Sequence, residues 1–168
     1  MLKALAHWLG STALSVKLQT TSWAIPDLQS VHIIALAFLM ASAWLLDLRL
    51  LGFRAHSNSV GNSVATTARR FLPWTWWPLG LLVLSGGLLV AAEPGELLGN
   101  EVFLLKMALL AVAIVVTLVL QHLALKMPMG AAAATLPTAN PALKALAALS
   151  LLLWVAIAFA GRLIAYVD

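Results

Sequence analysis

Four stretches of the chain are apolar with almost no interruption, at about residues 28–50, 72–92, 101–127 and 142–166. Polar and turn-forming residues collect between them. Each stretch meets or exceeds the ~20 residues that an α-helix needs to cross ~30 Å of hydrocarbon. Pro26-Asp27 marks the entry to the first, with Asp27 a candidate helix cap. Pro73-Trp74-Thr75-Trp76-Trp77-Pro78 opens the second, and its three tryptophans match an interfacial aromatic belt. The 51–70 connection is polar, 93–101 is acidic and turn-like, and 128–141 is a Gly/Pro/Thr/Asn linker.

Residues 2–18 are patterned differently. Leu2, Leu5, Leu9 and Val16 share one helical face, with Lys3, His7, Ser11 and Lys17 roughly opposite. This predicts an amphipathic helix lying in the membrane interface over 1–20. A secretory leader is the competing reading, but Gly10-Ser11-Thr12 breaks its apolar run. No internal repeat stands out. The expected fold is all-α: one membrane domain over 1–168, a four-helix up-down bundle with an interfacial N-terminal helix.

Composition sharpens the picture. Hydrophobic residues make up 62% and charged residues 10% of the 168, against about a quarter charged in a soluble domain. That leaves no room for a soluble catalytic domain. The absence of cysteine excludes disulfides, cysteine-ligated metal clusters and a thiol nucleophile. The net charge of +4 sits in loops between spans, which argues for membrane topology and against nucleic acid. Arg54, Arg69, Arg70, Lys126 and Lys144 collect on one side. Asp27, Glu93, Glu96, Glu101 and Asp168 collect on the other, with Lys3 and Lys17. The positive-inside rule then predicts a bacterial inner-membrane protein with both termini outside the cytoplasm.

Ionisable residues within the spans are costly and point to function. In an up-down bundle His32, Lys106 and Arg162 fall near the outer end. Asp47, Arg49 and His122 fall near the inner end, with His56, Arg69 and Arg70 in the adjoining loop. Asp47 stands roughly 22 Å beyond His32 along the helix axis. His122, at the level of Asp47, therefore cannot share one haem or one metal ion with His32.

Each residue also has a plain reading. His32 can simply hydrogen-bond a neighbouring helix or a headgroup. His122, like Lys126 after it, can face water, and His7 and His56 can be solvated. Lys106 and Arg162 can snorkel to the surface, and Asp47 can pair with Arg49. The sharper reading is a b-type haem, which needs an axial imidazole, small residues against the ring and cations for the propionates. His32 supplies the imidazole, Ser85-Gly86-Gly87 and Ala160-Gly161 the small surfaces, and Lys106 and Arg162 the cations. For a sixth ligand there is His7, a partner subunit or an open site. His122 with His56 is a candidate second site. Copper is the alternative, with His32 or His122 as ligands and Met107, Met127 or Met129 as soft donors, although no tight ligand spacing appears. Nothing reads as a nucleophile triad, a phosphate loop or a carboxylate pair.

The runs Val31–Leu36, Asp47–Gly52, Arg70–Trp76 and Phe103–Met107, together with His122 and Ala160–Tyr166, resemble an uncharacterised bacterial four-helix membrane family. The likeness covers nearly the whole chain and implies no activity. More distantly, a histidine opening the first span and a Leu-Lys-Met step opening the third are similar to two characterised groups. One is the haem-b-binding membrane protoporphyrinogen oxidase of the HemJ type, whose functional histidine and lysine would correspond to His32 and Lys106. The other is the CopD-type copper-resistance membrane protein. The chain departs from the oxidase pattern in its N-terminal amphipathic segment and in the long separation of Lys106 from His122.

The resulting expectation is a haem-b membrane subunit passing electrons between the quinone pool, or a periplasmic donor, and a partner protein. A CopD-like copper or metal transporter is the second reading, and a cofactor-free anchor of a larger complex the third. The implied partners are the bilayer, a protein partner or further copies of the chain, and quinone, with no nucleic acid.

Overall fold

The structure, a computed structural model, describes residues 2–53, 64–127 and 140–163. Arg54, His56, Met129, Tyr166 and Asp168 lie outside the described residues. The described residues form helices and no strand: α1 (Leu2–Gly10), α2 (Ala13–Thr20), α3 (Ala24–Leu50), α4 (Val64–Ala92), α5 (Pro94–Gly99), α6 (Glu101–Leu125) and α7 (Pro141–Leu163). The helices α3, α4, α6 and α7 are each long and apolar enough to cross a membrane. Only 22–33% of each one's most apolar window is buried within the chain. The remaining apolar surface therefore faces outward and calls for lipid or another apolar partner.

Two hydrogen bonds set the register of α3 against α4. His32 meets Ser85 at 2.9 Å, and Ser42 meets Thr75 at 3.2 Å. Ten residues up α3 match ten down α4, so the pair is antiparallel without slippage. The pair α6 and α7 runs the same way, with Lys106 against Gly161 and Thr117 bonded to Trp154. Leu39, Leu46, Leu50, Leu120, Trp154 and Ile157 fill the centre. Buried alanines at 35, 43, 68, 113, 124 and 147 let backbones approach where lipid supplies no hydrophobic drive for association.

The ends follow local chemistry. At the close of α3, Phe53 N–H bonds Leu48 O and Gly52 N–H bonds Arg49 O, with Gly52 at φ 97°. That is a Schellman stop, which needs the left-handed conformation glycine adopts without strain. Asn100 caps α6 by accepting from Val102 and Phe103 N–H at 2.9 and 3.1 Å. Asn100→Ala should lower stability by about 1 kcal/mol, whereas Asn100→Asp keeps the acceptor and should leave it near the native value. Denaturant titration of helicity in micelles checks both.

Asp27 lies inside the first turn of α3 and does not cap it, since the helix already starts at Ala24. Three further local features depart from the sequence reading. The N-terminal helix is two helices, because Ser11 and Thr12 turn their hydroxyls onto Trp8 O and Leu9 O, and Thr12 then accepts from Ser15 N–H as the cap of α2. The pair leans on the bundle: Gly10 faces Pro94 of α5, and Gln19 donates to Ala92 O at 2.7 Å. The helix α4 starts at Val64 and runs through Pro73 and Pro78. Proline reads as a helix start, yet a membrane span tolerates it inside, and Ala65, Thr67 and Ala68 are buried ahead of it. The acidic turn contains the short helix α5, begun by Pro94.

One end of the bundle thus carries Asp27, Glu93, Glu96 and Glu101, the other Arg49, Arg69, Arg70, Lys126 and Lys144. They are called the acidic and basic ends below.

Candidate functional site

At the acidic end, α3 brings His32 against Ser85 and Gly86 of α4. The direction of each hydrogen bond follows from counting protons. Ser85 Oγ–H lies 2.8 Å from Leu81 O, with Leu82 O at 3.3 Å, so its single proton is committed to its own helix. Towards His32 the hydroxyl then offers a lone pair, and His32 Nδ1–H donates to it at 2.9 Å. This assigns the Nδ1–H tautomer and leaves the Nε2 lone pair unused. Nε2 has no hydrogen-bond partner among the described residues and is not among the enclosed polar atoms.

Gly86 makes the approach possible. A Cβ there would stand 3.1 Å from His32 Cε1, tighter than ordinary van der Waals contact. Gly87 has open space around it. A similar gap on α7 receives the lysine: a Cβ on Gly161 would stand 3.1 Å from Lys106 Nζ. The half-buried Lys106 ammonium lies within electrostatic range of the His32 ring. A ring nitrogen with a free lone pair and a cation thus share one end of the bundle. The nitrogen can fill one coordination position or accept one hydrogen bond, and the ammonium can pair an anionic group.

The other expected residues are placed elsewhere. Arg162 follows Gly161 at the acidic end, exposed and engaged in an interaction of its own. His122 is exposed near the end of α6, and its sixteen-residue separation from Lys106 amounts to about 24 Å of helix. His7 is exposed on α1. Among the described residues no three His, Asp or Glu side chains gather into a metal-binding group.

Sequence reasoning missed the partners. Ser85 was legible only as a small residue, and Ser42–Thr75 and Thr117–Trp154 were not visible as pairs. For the first two, the available signal is the matched ten-residue spacing of His32 and Ser42 on α3 and of Thr75 and Ser85 on α4.

Fold and site together define a multi-pass helical membrane protein with an imidazole–lysine centre at one end. The chain belongs to the family of unknown function DUF6644, whose model matches residues 16–167, leaving α1 outside the match. No curated protein and no solved structure matches it.

Proposed function

We propose that the protein is a b-type haem-binding membrane subunit for electron transfer, with His32 Nε2 as an iron ligand. One observation carries this reading: Ser85 receives the proton of Nδ1, so the opposite nitrogen is presented as a lone pair. Metal-ligating histidines are held in this way, by a hydrogen bond from the second ring nitrogen that sets tautomer and ring orientation. Lys106 would pair a propionate. A porphyrin supplies four of the iron's ligands itself, so the lack of a three-residue metal cluster among the described residues weighs against a bare copper ion more than against haem. Bound there, haem would supply one-electron chemistry. The chain's own part is to orient the imidazole and to compensate negative charge.

In this reading electrons pass between the quinone pool or a donor on the acidic side and a partner protein. The split between acidic and basic ends supports an inner-membrane orientation with the basic end in the cytoplasm and both termini outside. His32 and Lys106 are also the positions on which the resemblance to the HemJ-type oxidase was read from the sequence, a resemblance that no curated match supports.

The test is an absorption spectrum of the protein purified in detergent. A Soret band that shifts on reduction is expected, lost in His32→Ala and retained with an altered midpoint potential in Ser85→Ala. Colourless protein binding stoichiometric copper would replace the proposal with the CopD-like reading. Colourless, metal-free protein co-purifying with a partner complex would replace it with the anchor reading.

A further inference from the structure

A second polar centre lies in the basic half of the bundle. Asp47 on α3 is 2% exposed and Ser150 on α7 is fully buried. The two side chains come within hydrogen-bonding reach of each other across the helix pair; Asp47 Oδ2 and Ser150 Oγ are both enclosed, and neither atom makes a hydrogen bond of good geometry. One turn earlier, Trp44 Nε1 is enclosed and unpartnered as well.

Among the described residues, no charged group hydrogen-bonds Asp47 Oδ2. Arg49, two positions on, has an interaction of its own. On α4, Arg69 and Arg70 stand at the same level but are exposed, and on α7 the nearest charge is Lys144, nearer the basic end. The nearest charges on α6, His122 and Lys126, are exposed, and Lys17 of α2 sits at the acidic end. None of these bonds Oδ2, and the pairing with Arg49 expected from sequence is not made at that oxygen. An ionised carboxylate with an oxygen enclosed and unbonded in hydrocarbon is heavily penalised. A proton on Oδ2 removes the charge and gives the carboxyl a donor that Ser150 Oγ can accept.

We propose that Asp47 and Ser150 form a proton-binding site, in which Asp47 holds a proton on Oδ2 and donates it to Ser150 Oγ. In loading, hydronium at the basic end gives its proton to Oδ2 and leaves as water; unloading returns the proton to water. Buried hydroxyls and the amide of Gln121 line the neighbouring level. Thr75, Thr117, Gln121 and Trp154 surround a cavity of about 10 Å³, the lower bound for one water.

The site is blind on its other side. Residues 33–41 of α3, 76–84 of α4, 107–116 of α6 and 155–160 of α7 contain no ionisable, hydroxyl or amide side chain. This layer puts roughly 14 Å of apolar bundle between the Ser42–Thr75 level and His32. Protons therefore exchange with the basic end alone and do not cross. The proposal stands independently of haem at His32.

Infrared spectroscopy of the intact protein in nanodiscs near neutral pH tests it. A carbonyl stretch of a protonated acid is expected, shifted down in D₂O and removed by Asp47→Asn. Ser150→Ala, which keeps the acid, should move the band to higher frequency as the hydroxyl loses its acceptor, and this decides the matter if Asp47→Asn does not fold. Absence of the band, or a position unmoved in Ser150→Ala, would overturn the proposal. Loss of the band on adding Na⁺ at constant pH would make the site one for a metal cation instead. Proteoliposomes should pass no proton current under an imposed potential; a current abolished by Asp47→Asn would refute the blind end.

Discussion

Trp154→Ala is expected to lower the stability of the bundle by about 3 kcal/mol, the largest loss for any single core side chain. Trp154 is 1% exposed and heads the fully buried side chains by size. It packs within the central cluster that joins α3, α6 and α7. In a membrane the helices stay inserted when they separate, so the truncated side chain forfeits no transfer from water. What remains is the cavity and its lost dispersion contacts, which places the effect at the lower end of the range for tryptophan truncation. Trp154→Phe fills most of the volume and gives up only the bond from Nε1 to Thr117 Oγ1, a long one at 3.3 Å. It should cost about 1 kcal/mol. Reversible unfolding of helicity in mixed micelles compares the variants. An unchanged midpoint for Trp154→Ala would mean that the helices do not pack through this residue.

Gly86→Leu is expected to expel the His32 ring from its seat on α4. Even a methyl group there would have to displace Cε1 from 3.1 Å. A leucine cannot fit without moving the imidazole or parting α3 from α4. Overpacking of this kind costs about 1–3 kcal/mol, and the hydrogen bond to Ser85 is lost with it. Gly87→Leu is the control, since nothing lies within 4 Å of a Cβ at that position. Nitrogen NMR of histidine-labelled protein reads the outcome directly: the bonded Nδ1–H signal of His32 should disappear in Gly86→Leu and persist in Gly87→Leu. If haem is bound, its absorbance should fall in the first variant only. Equal behaviour of the two would show that the ring does not rest on Gly86.

The two adjacent glycines show where sequence reading stops. Both read as small surfaces at the right depth, yet one receives an imidazole and the other faces open space. The same holds for the ionisable residues near the basic end. Asp47 and His122 sit at comparable depth in their spans, but Asp47 is sealed inside and His122 is exposed. In a soluble helix an apolar stripe would tell which face turns inward. These spans are apolar nearly all round, so periodicity is silent on rotation. Depth was legible, and azimuth was not. The early start of α4 was hidden for another reason: Pro73 carries the local signature of a helix beginning, and only packing of Ala65, Thr67 and Ala68 extends the helix ahead of it.

What the amino-acid sequence determined alone is that the chain crosses a membrane four times as helices, with opposite charge at the two ends. Partition into hydrocarbon depends on the composition of a run, and hydrocarbon obliges each run to satisfy its own backbone. Only the tertiary structure decided which nitrogen of His32 is spent on Ser85, that Lys106 rests on Gly161, and that Asp47 faces Ser150. Those facts depend on the rotation of each helix and the register between helices. Contacts far apart in the chain set both.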